Sequence, residues 1–324
     1  MTNRVTPVLL ALLVSVGLSI AELASAADRP NILMIAVDDL RPDLGCFGSP
    51  VAKTPNIDRL AARGVAFTRA YCQQAVCSPS RTSLLTGRRP DATQVWDLNT
   101  HFRVALPDCV TLPEYFKHHG YHAAALGKIY HRKFEDGRSW SEPHWYPSGL
   151  TVDTDPADWR ERSVSRFGPG VADYDRATVL SEAGKGPATL VSDKADDDLP
   201  DGATAAEAER RIAALAADAT PFFLAVGFSK PHLPFVAPKA YWDLHDPDAI
   251  PEPRIDHLPA GAPEFAGHVN GEIHQYMGIP AGNPLPPEIA RTLRHGYHAC
   301  ISYIDAQVGR LLDALDRHGL AENT

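Results

Sequence analysis

Cys77 and Arg81 stand four residues apart in the run Cys77-Ser78-Pro79-Ser80-Arg81, which continues Thr82-Ser83-Leu84-Leu85-Thr86-Gly87-Arg88. If a helix begins at the cysteine, that spacing puts both side chains on one face. Pro79 fits the first helical turn, where its missing N–H would have had no partner. The thiol then sits at the positive end of a helix dipole, where backbone N–H groups favour an anion. The chemistry this allows is an anion site with a sulfur nucleophile, or with a group made from that sulfur. At this spacing alone, a purely structural role for the pair is equally open.

Three further sets of polar residues follow apolar runs. Asp38-Asp39 end the run Asn31–Val37, Lys128 and His131 follow Tyr121–Leu126, and Lys230 and His232 follow Pro221–Phe228. Runs without alternation suit strands of a parallel sheet that is buried on both faces. In open α/β sheets, ligands gather at the carboxyl ends of the strands, so two adjacent carboxylates there are a candidate metal site. Each residue alone has a plainer reading, as a turn, a helix cap or a satisfied histidine. Packing alone does not explain all of them at one sheet edge.

The helices that must carry this edge are marked by their caps. Thr54-Pro55 opens a helix that Gly64 closes, Thr111 and Glu114 form a capping box before a helix stopped by Gly120, and Thr204 and Glu207 form another before a helix running to about Ala217. From Pro287 to His318 one long helical pattern places Ile289, Leu293, Tyr297, Ile301, Ile304, Val308, Leu311 and Leu315 on a single stripe, with Gly319 as its cap. Residues 132–203 and 243–288 read as irregular loops over a pocket. There is no internal repeat and no linker.

Residues 1–26 have the pattern of a secretory signal peptide, with Arg4, an apolar run from Val8 to Ile20 and a cleavage site at Ala24-Ser25-Ala26. This leaves 27–324 as one catalytic domain in an exported protein. Export permits disulfides, but the five cysteines are Cys46, Cys72, Cys77, Cys109 and Cys300, an odd number with no zinc-binding spacing. The four besides Cys77 are expected to be small buried hydrophobes. A net charge of −9 argues against a nucleic-acid partner and leaves attraction of an anionic substrate to a local basic pocket. Thr324 follows soon after the long helix, where a βα pattern calls for a returning strand, so the catalytic domain reads as incomplete at its C-terminus.

The run Cys77-Ser78-Pro79-Ser80-Arg81 with Thr86-Gly87-Arg88 resembles the C-x-P-S-R…T-G-R signature of the type I sulfatases, in the alkaline-phosphatase-like superfamily. The likeness is greatest to their iduronate-2-sulfatase branch. It takes in Val37 to Pro42, Gln73 to Pro90, Gly127-Lys128, Pro221 to Phe235 and Ser302 to Leu315. The resemblance implies a mostly parallel sheet sandwiched by helices, without its C-terminal strands here. It implies that a separate formylglycine-generating enzyme oxidises Cys77 to formylglycine. One hydroxyl of the hydrated aldehyde then attacks the sulfate sulfur, and the other later expels sulfate. It further implies Ca2+ held by Asp38, Asp39 and the modified Cys77, with Arg81 steadying the diol. Lys128 and His131 would hold the sulfate and formylglycine, and His232 would be the acid at the leaving oxygen.

The substrate so implied is a sulfated polysaccharide or oligosaccharide, 2-O-sulfated iduronate of heparan or dermatan type first among them. Lys230 carries no catalytic role in this reading, although it could touch a uronate carboxylate. The expected location is periplasmic or extracellular, or lysosomal in a eukaryote, with no membrane attachment after signal cleavage. Family members place a second pair of metal ligands and another sulfate-binding lysine beyond the point where this sequence stops. With Asp38 and Asp39 alone the calcium site is expected to lack oxygens. Two other readings stand beside this one: a phosphate or phosphonate ester hydrolase of the same superfamily, and an inactive fragment that binds sulfated glycan.

Overall fold

The computed structural model describes residues 29–147, 185–218, 220–253, 255, 257–267, 271–277, 279–282 and 284–324. The expected signal peptide and much of the first loop region lie outside the described residues. In chain order the elements are β1 (Ile32–Val37), α1 (Pro55–Arg63), α2 (Cys77–Thr86), α3 (Pro90–Thr93), α4 (Leu112–His118) and β2 (His122–Gly127). They continue with β3 (Lys185–Pro187), β4 (Thr189–Ser192), α5 (Pro200–Ala216), β5 (Phe222–Phe228), β6 (Phe235–Pro238), α6 (Lys239–Trp242), β7 (Tyr276–Met277) and α7 (Pro287–Arg317).

The main sheet runs β1-β5-β2, all parallel. Val37 lies opposite Phe228 and Gly127 opposite Gly227, so the three strands end in step. That register places Asp38, Lys128 and Ser229 at one edge. All of β5 is buried, and its side chains alternate between two apolar layers. Phe222, Leu224, Val226 and Phe228 join α5, β6 and α7 on one face. Phe223 and Ala225 join Leu85 of α2, Phe102, Ile129, Tyr130 and Trp140 on the other. The sheet is therefore covered on both sides, as its non-alternating strands require.

Several local expectations give way to tertiary contacts. Thr111 and Glu114 do form a reciprocal capping box on α4. Thr54, by contrast, makes no side-chain cap on α1: its hydroxyl accepts from Gly45 N and donates to Asp58. The N-terminus of α1 is capped by Asp305 of α7, which accepts from Asn56 N, Ile57 N (2.8 Å) and Asn56 Nδ2 (2.8 Å). Thr204 and Glu207 form no capping box either. Helix α5 starts at Pro200, and the Thr204 hydroxyl inside it donates to Pro200 O.

Helix α7 is longer buried than its stripe implies. From His298 to Leu315 it buries residues around most of its circumference, because α1, α5, α6 and β6 all pack on it. All five cysteines are free. Only Cys300 is buried, and Cys72 is exposed, against the expectation that all four besides Cys77 are core residues.

Candidate active site

Helix α2 begins at Cys77, as the signature spacing predicts, and Gly87 ends it in the left-handed conformation that glycine adopts without a Cβ clash (φ 65°). No side chain caps its N-terminus, so its first backbone N–H groups remain directed at whatever anion approaches. One turn in, Arg81 reaches under the strand ends. Its Nη2 donates to Asp38 Oδ1 at 2.7 Å and its Nη1 donates to Lys128 O and Ile129 O (2.9 Å to the latter). The Lys128 ammonium closes the group by an ion pair with Asp38 Oδ2.

Asp38, Arg81 and Lys128 are at most 7% exposed. Burial pushes the Asp38 carboxyl up, but the Lys128 and Arg81 cations outweigh it and hold the group well below the usual carboxylate range. Asp38 is thus ionised throughout, and two cations to one carboxylate leave this buried trio one positive charge in surplus. An anion beside Cys77 is favoured by that surplus.

Two glycines make the approach possible. Gly127 has φ 67°, and a Cβ there would fall 2.2 Å from Gly227 O. A Cβ on Gly227 would fall 2.1 Å from Lys128 O. The end of β2 therefore turns tightly over β5, with Lys128 N donating to Gly227 O at 2.8 Å, and Lys128 is delivered to Asp38.

His131 brings its Nδ1 to 3.1 Å from Cys77 Sγ and stacks on Phe134. Burial, with Asp38 nearby, pushes the Cys77 thiol up despite Lys128 and Arg81, so the sulfur is protonated near neutral pH. A plain thiolate nucleophile does not fit these surroundings.

At the third strand end, His232 Nδ1 meets Leu233 O at 2.6 Å, which fixes the proton on Nδ1 and presents Nε2 to the site. Burial and the Lys128 charge push His232 down, whereas burial pushes its neighbour Asp39 up. His232 Nε2 lies 3.8 Å from Asp39 Oδ2 and 3.7 Å from Glu272 Oε2. Asp39 itself has φ 56°, uncommon for a residue with a Cβ, and Tyr297 pins that turn by donating to Asp39 O (2.8 Å) while accepting from Arg41 N (2.9 Å).

Asp38, Asp39 and His232 each offer a ligand atom within 4.8 Å of the others, and they form the one such group among the described residues. The metal set expected by resemblance was Asp38, Asp39 and Cys77. The His232 nitrogen lies beside the two carboxylates as well. Their hard oxygens suit a divalent cation such as calcium, and the half-exposed Asp39 is the more open of the two because both Asp38 oxygens already accept from cations.

Lys230 does not face the site. It is 6% exposed, and its ammonium donates to His232 O (2.9 Å) and Pro234 O (2.8 Å). Asp201 of α5 accepts from Ser229 N and Lys230 N, so this buried pair of charges shapes the loop that presents His232. In this arrangement the Lys230 ammonium holds the His232 loop. Sequence reasoning placed Cys77, Arg81, Lys128, His131, Asp38, Asp39 and His232 at one edge, and all seven meet there. It missed Glu272, which lies in a proline-rich stretch without periodicity, and Tyr297, whose place on an apolar stripe hid its hydroxyl.

The family model described as Sulfatase matches residues 30–324. The chain is 39% identical over 318 residues to iduronate 2-sulfatase of Mus musculus, covering 94% of this chain and 55% of the relative. It is 38% identical over 315 residues to iduronate 2-sulfatase of Homo sapiens, covering 93% and 54%. The chain thus spans about half the length of the curated relatives it matches. In fold it is similar to the crystal structure of the phosphonate monoester hydrolase of Agrobacterium radiobacter, with a TM-score of 0.66 at 23% identity over 91% of this chain and 61% of that one.

Proposed function

The chain belongs to the sulfatase family, and on that footing we propose that it carries the nucleophile and sulfate pocket of a sulfuric ester hydrolase. The proposed substrate is a sulfated sugar, with 2-O-sulfated iduronate of heparan- or dermatan-type glycosaminoglycans first. The choice of sugar is supported by the 38–39% identity to iduronate 2-sulfatases. The observation that carries the reaction is the Cys77–His131 contact of 3.1 Å at an uncapped helix N-terminus, beside the buried Asp38–Arg81–Lys128 trio.

A formylglycine made from Cys77 by a separate converting enzyme would supply an oxygen nucleophile, and Asp38 and Asp39 would hold a Ca2+ that offsets sulfate charge. The remaining work falls to this chain's own side chains. Arg81 is fixed by Asp38 and two carbonyls, so it presents a rigid cationic wall below position 77. Lys128 and His131 flank the same position and orient the sulfate oxygens. His232 Nε2 faces the leaving-group side. An entering sulfate favours its protonated form, which then donates its proton to the departing ester oxygen. The proposed location is outside the cytoplasm, in periplasm, medium or lysosome. Among the described residues no helix is long and apolar enough to cross a membrane.

The test is to produce the protein with a formylglycine-generating enzyme, weigh the tryptic peptide containing Cys77, and assay aryl sulfate, aryl phosphate, phosphonate ester and a panel of sulfated glycosaminoglycan oligosaccharides. Aldehyde at position 77 with sulfate release is the expected result. Faster turnover of phosphate or phosphonate esters would reassign the bond. An intact thiol together with bound but unhydrolysed sulfated sugar would make the chain a binding fragment.

A further inference from the structure

Glu272 belongs to none of the residues assigned above, yet its Oε2 lies 3.7 Å from His232 Nε2, the atom that faces the leaving group. It reaches the site from the segment just before β7, far in sequence from every signature residue. It does not join the tight group of Asp38, Asp39 and His232, whose ligand atoms lie within 4.8 Å of one another. The Asp39 carboxylate lies 3.8 Å from the same nitrogen, so Nε2 stands between two carboxylates that come from different segments. The Glu272 side chain is 41% exposed, so its carboxylate is open to an entering ligand, unlike the buried Asp38.

The group that His232 Nε2 would serve is the ester oxygen of the bound sulfate. In a sugar, the carbon next to the sulfated one carries a hydroxyl roughly 3 Å from that oxygen. A carboxylate under 4 Å from the histidine nitrogen is within hydrogen-bonding reach of such a hydroxyl, and an ionised carboxylate only accepts. A second anion on the substrate would be repelled there.

We infer that Glu272 is a substrate-specificity residue that accepts a hydrogen bond from the hydroxyl vicinal to the sulfate ester. The site therefore selects monosulfated vicinal diols, and it orients the sugar so that any uronate carboxylate points away from Glu272. This rests on the proposed sulfatase reading and adds to it the side of the sugar that is recognised.

The test measures binding, so it does not depend on a converted nucleophile. In a Cys77→Ala background, calorimetry compares a 2-O-sulfated methyl hexuronide with its 3-deoxy analogue, with and without Glu272→Gln. The parent is expected to bind the hydroxyl-bearing ligand roughly 10- to 100-fold more tightly than the deoxy analogue, the range of one hydrogen bond to a charged group. Glu272→Gln, which keeps a neutral acceptor in place of a charged one, should lower that preference severalfold while leaving affinity for the deoxy ligand within about twofold. Equal weakening of both ligands would make Glu272 a support for His232 instead, and an undiminished preference would place the hydroxyl elsewhere. Either result overturns the inference while sulfated-sugar binding stands. Failure of the parent to bind either sulfated sugar would remove the sulfatase reading and this inference together.

Discussion

Acid should loosen this protein through a histidine outside the active site. His245, 5% exposed, follows α6 and packs beside His298 of α7 with ring centroids 5.7 Å apart. Its Nε2 lies 2.9 Å from Ser302 Oγ, and that hydroxyl donates to Lys53 O, so Nε2 carries the proton and Ser302 accepts it. Nδ1 is buried with no hydrogen-bond partner. Protonation would put a second N–H where nothing accepts it, beside His298, His295 and Lys53. Burial first, and these neighbours second, push His245 down to about 4.

The unfolded chain has an ordinary histidine near 6.5, so it binds more protons than the folded one between pH 6.5 and 4. Stability from this group is therefore complete above pH 6.5 and is lost as pH falls toward 4. The full shift corresponds to about 3 kcal/mol, and moving from pH 7 to pH 5 removes about 2 kcal/mol of it. Urea unfolding at pH 7 and pH 5 should show His245→Gln losing about 2 kcal/mol less than the parent over that interval. Equal losses in parent and variant would refute the reasoning, because then His245 does not titrate against the fold.

Two further substitutions test the frame of the site. Asp38→Asn leaves Arg81 and Lys128 buried without their shared anion, and should cost about 3 kcal/mol or more in urea unfolding and weaken calcium binding by calorimetry; unchanged values in both would show that the trio is not a unit. Asp305→Ala strips the N-terminus of α1 of a carboxylate that takes three donors, and should cost about 2–3 kcal/mol, with Asp305→Asn milder because it keeps an acceptor. Thermal melts followed by circular dichroism would check the order Ala below Asn below parent.

The sequence by itself determined the three parallel strands, of which β1 at the sheet edge is only half-buried, the helix starting at Cys77 and the set of polar residues at strand ends. It could do so because parallel strands read as unbroken apolar runs, and because in-register strands carry the residues that follow them to one edge. It also marked the capping box at Thr111, a contact made within four residues. Only the tertiary structure decided what depends on distant partners. Asp305 caps α1 from about 250 residues away where Thr54 was expected to. Lys230 spends its charge on the His232 loop because burial denies it solvent. Glu272 comes within 3.7 Å of His232 Nε2 through a stretch whose sequence has no period to read. Cys77 was visible as a residue type and a spacing. Its neutral thiol, and the surplus positive charge beside it, follow from burial and from the pairing of Asp38 with two cations, which no local pattern encodes.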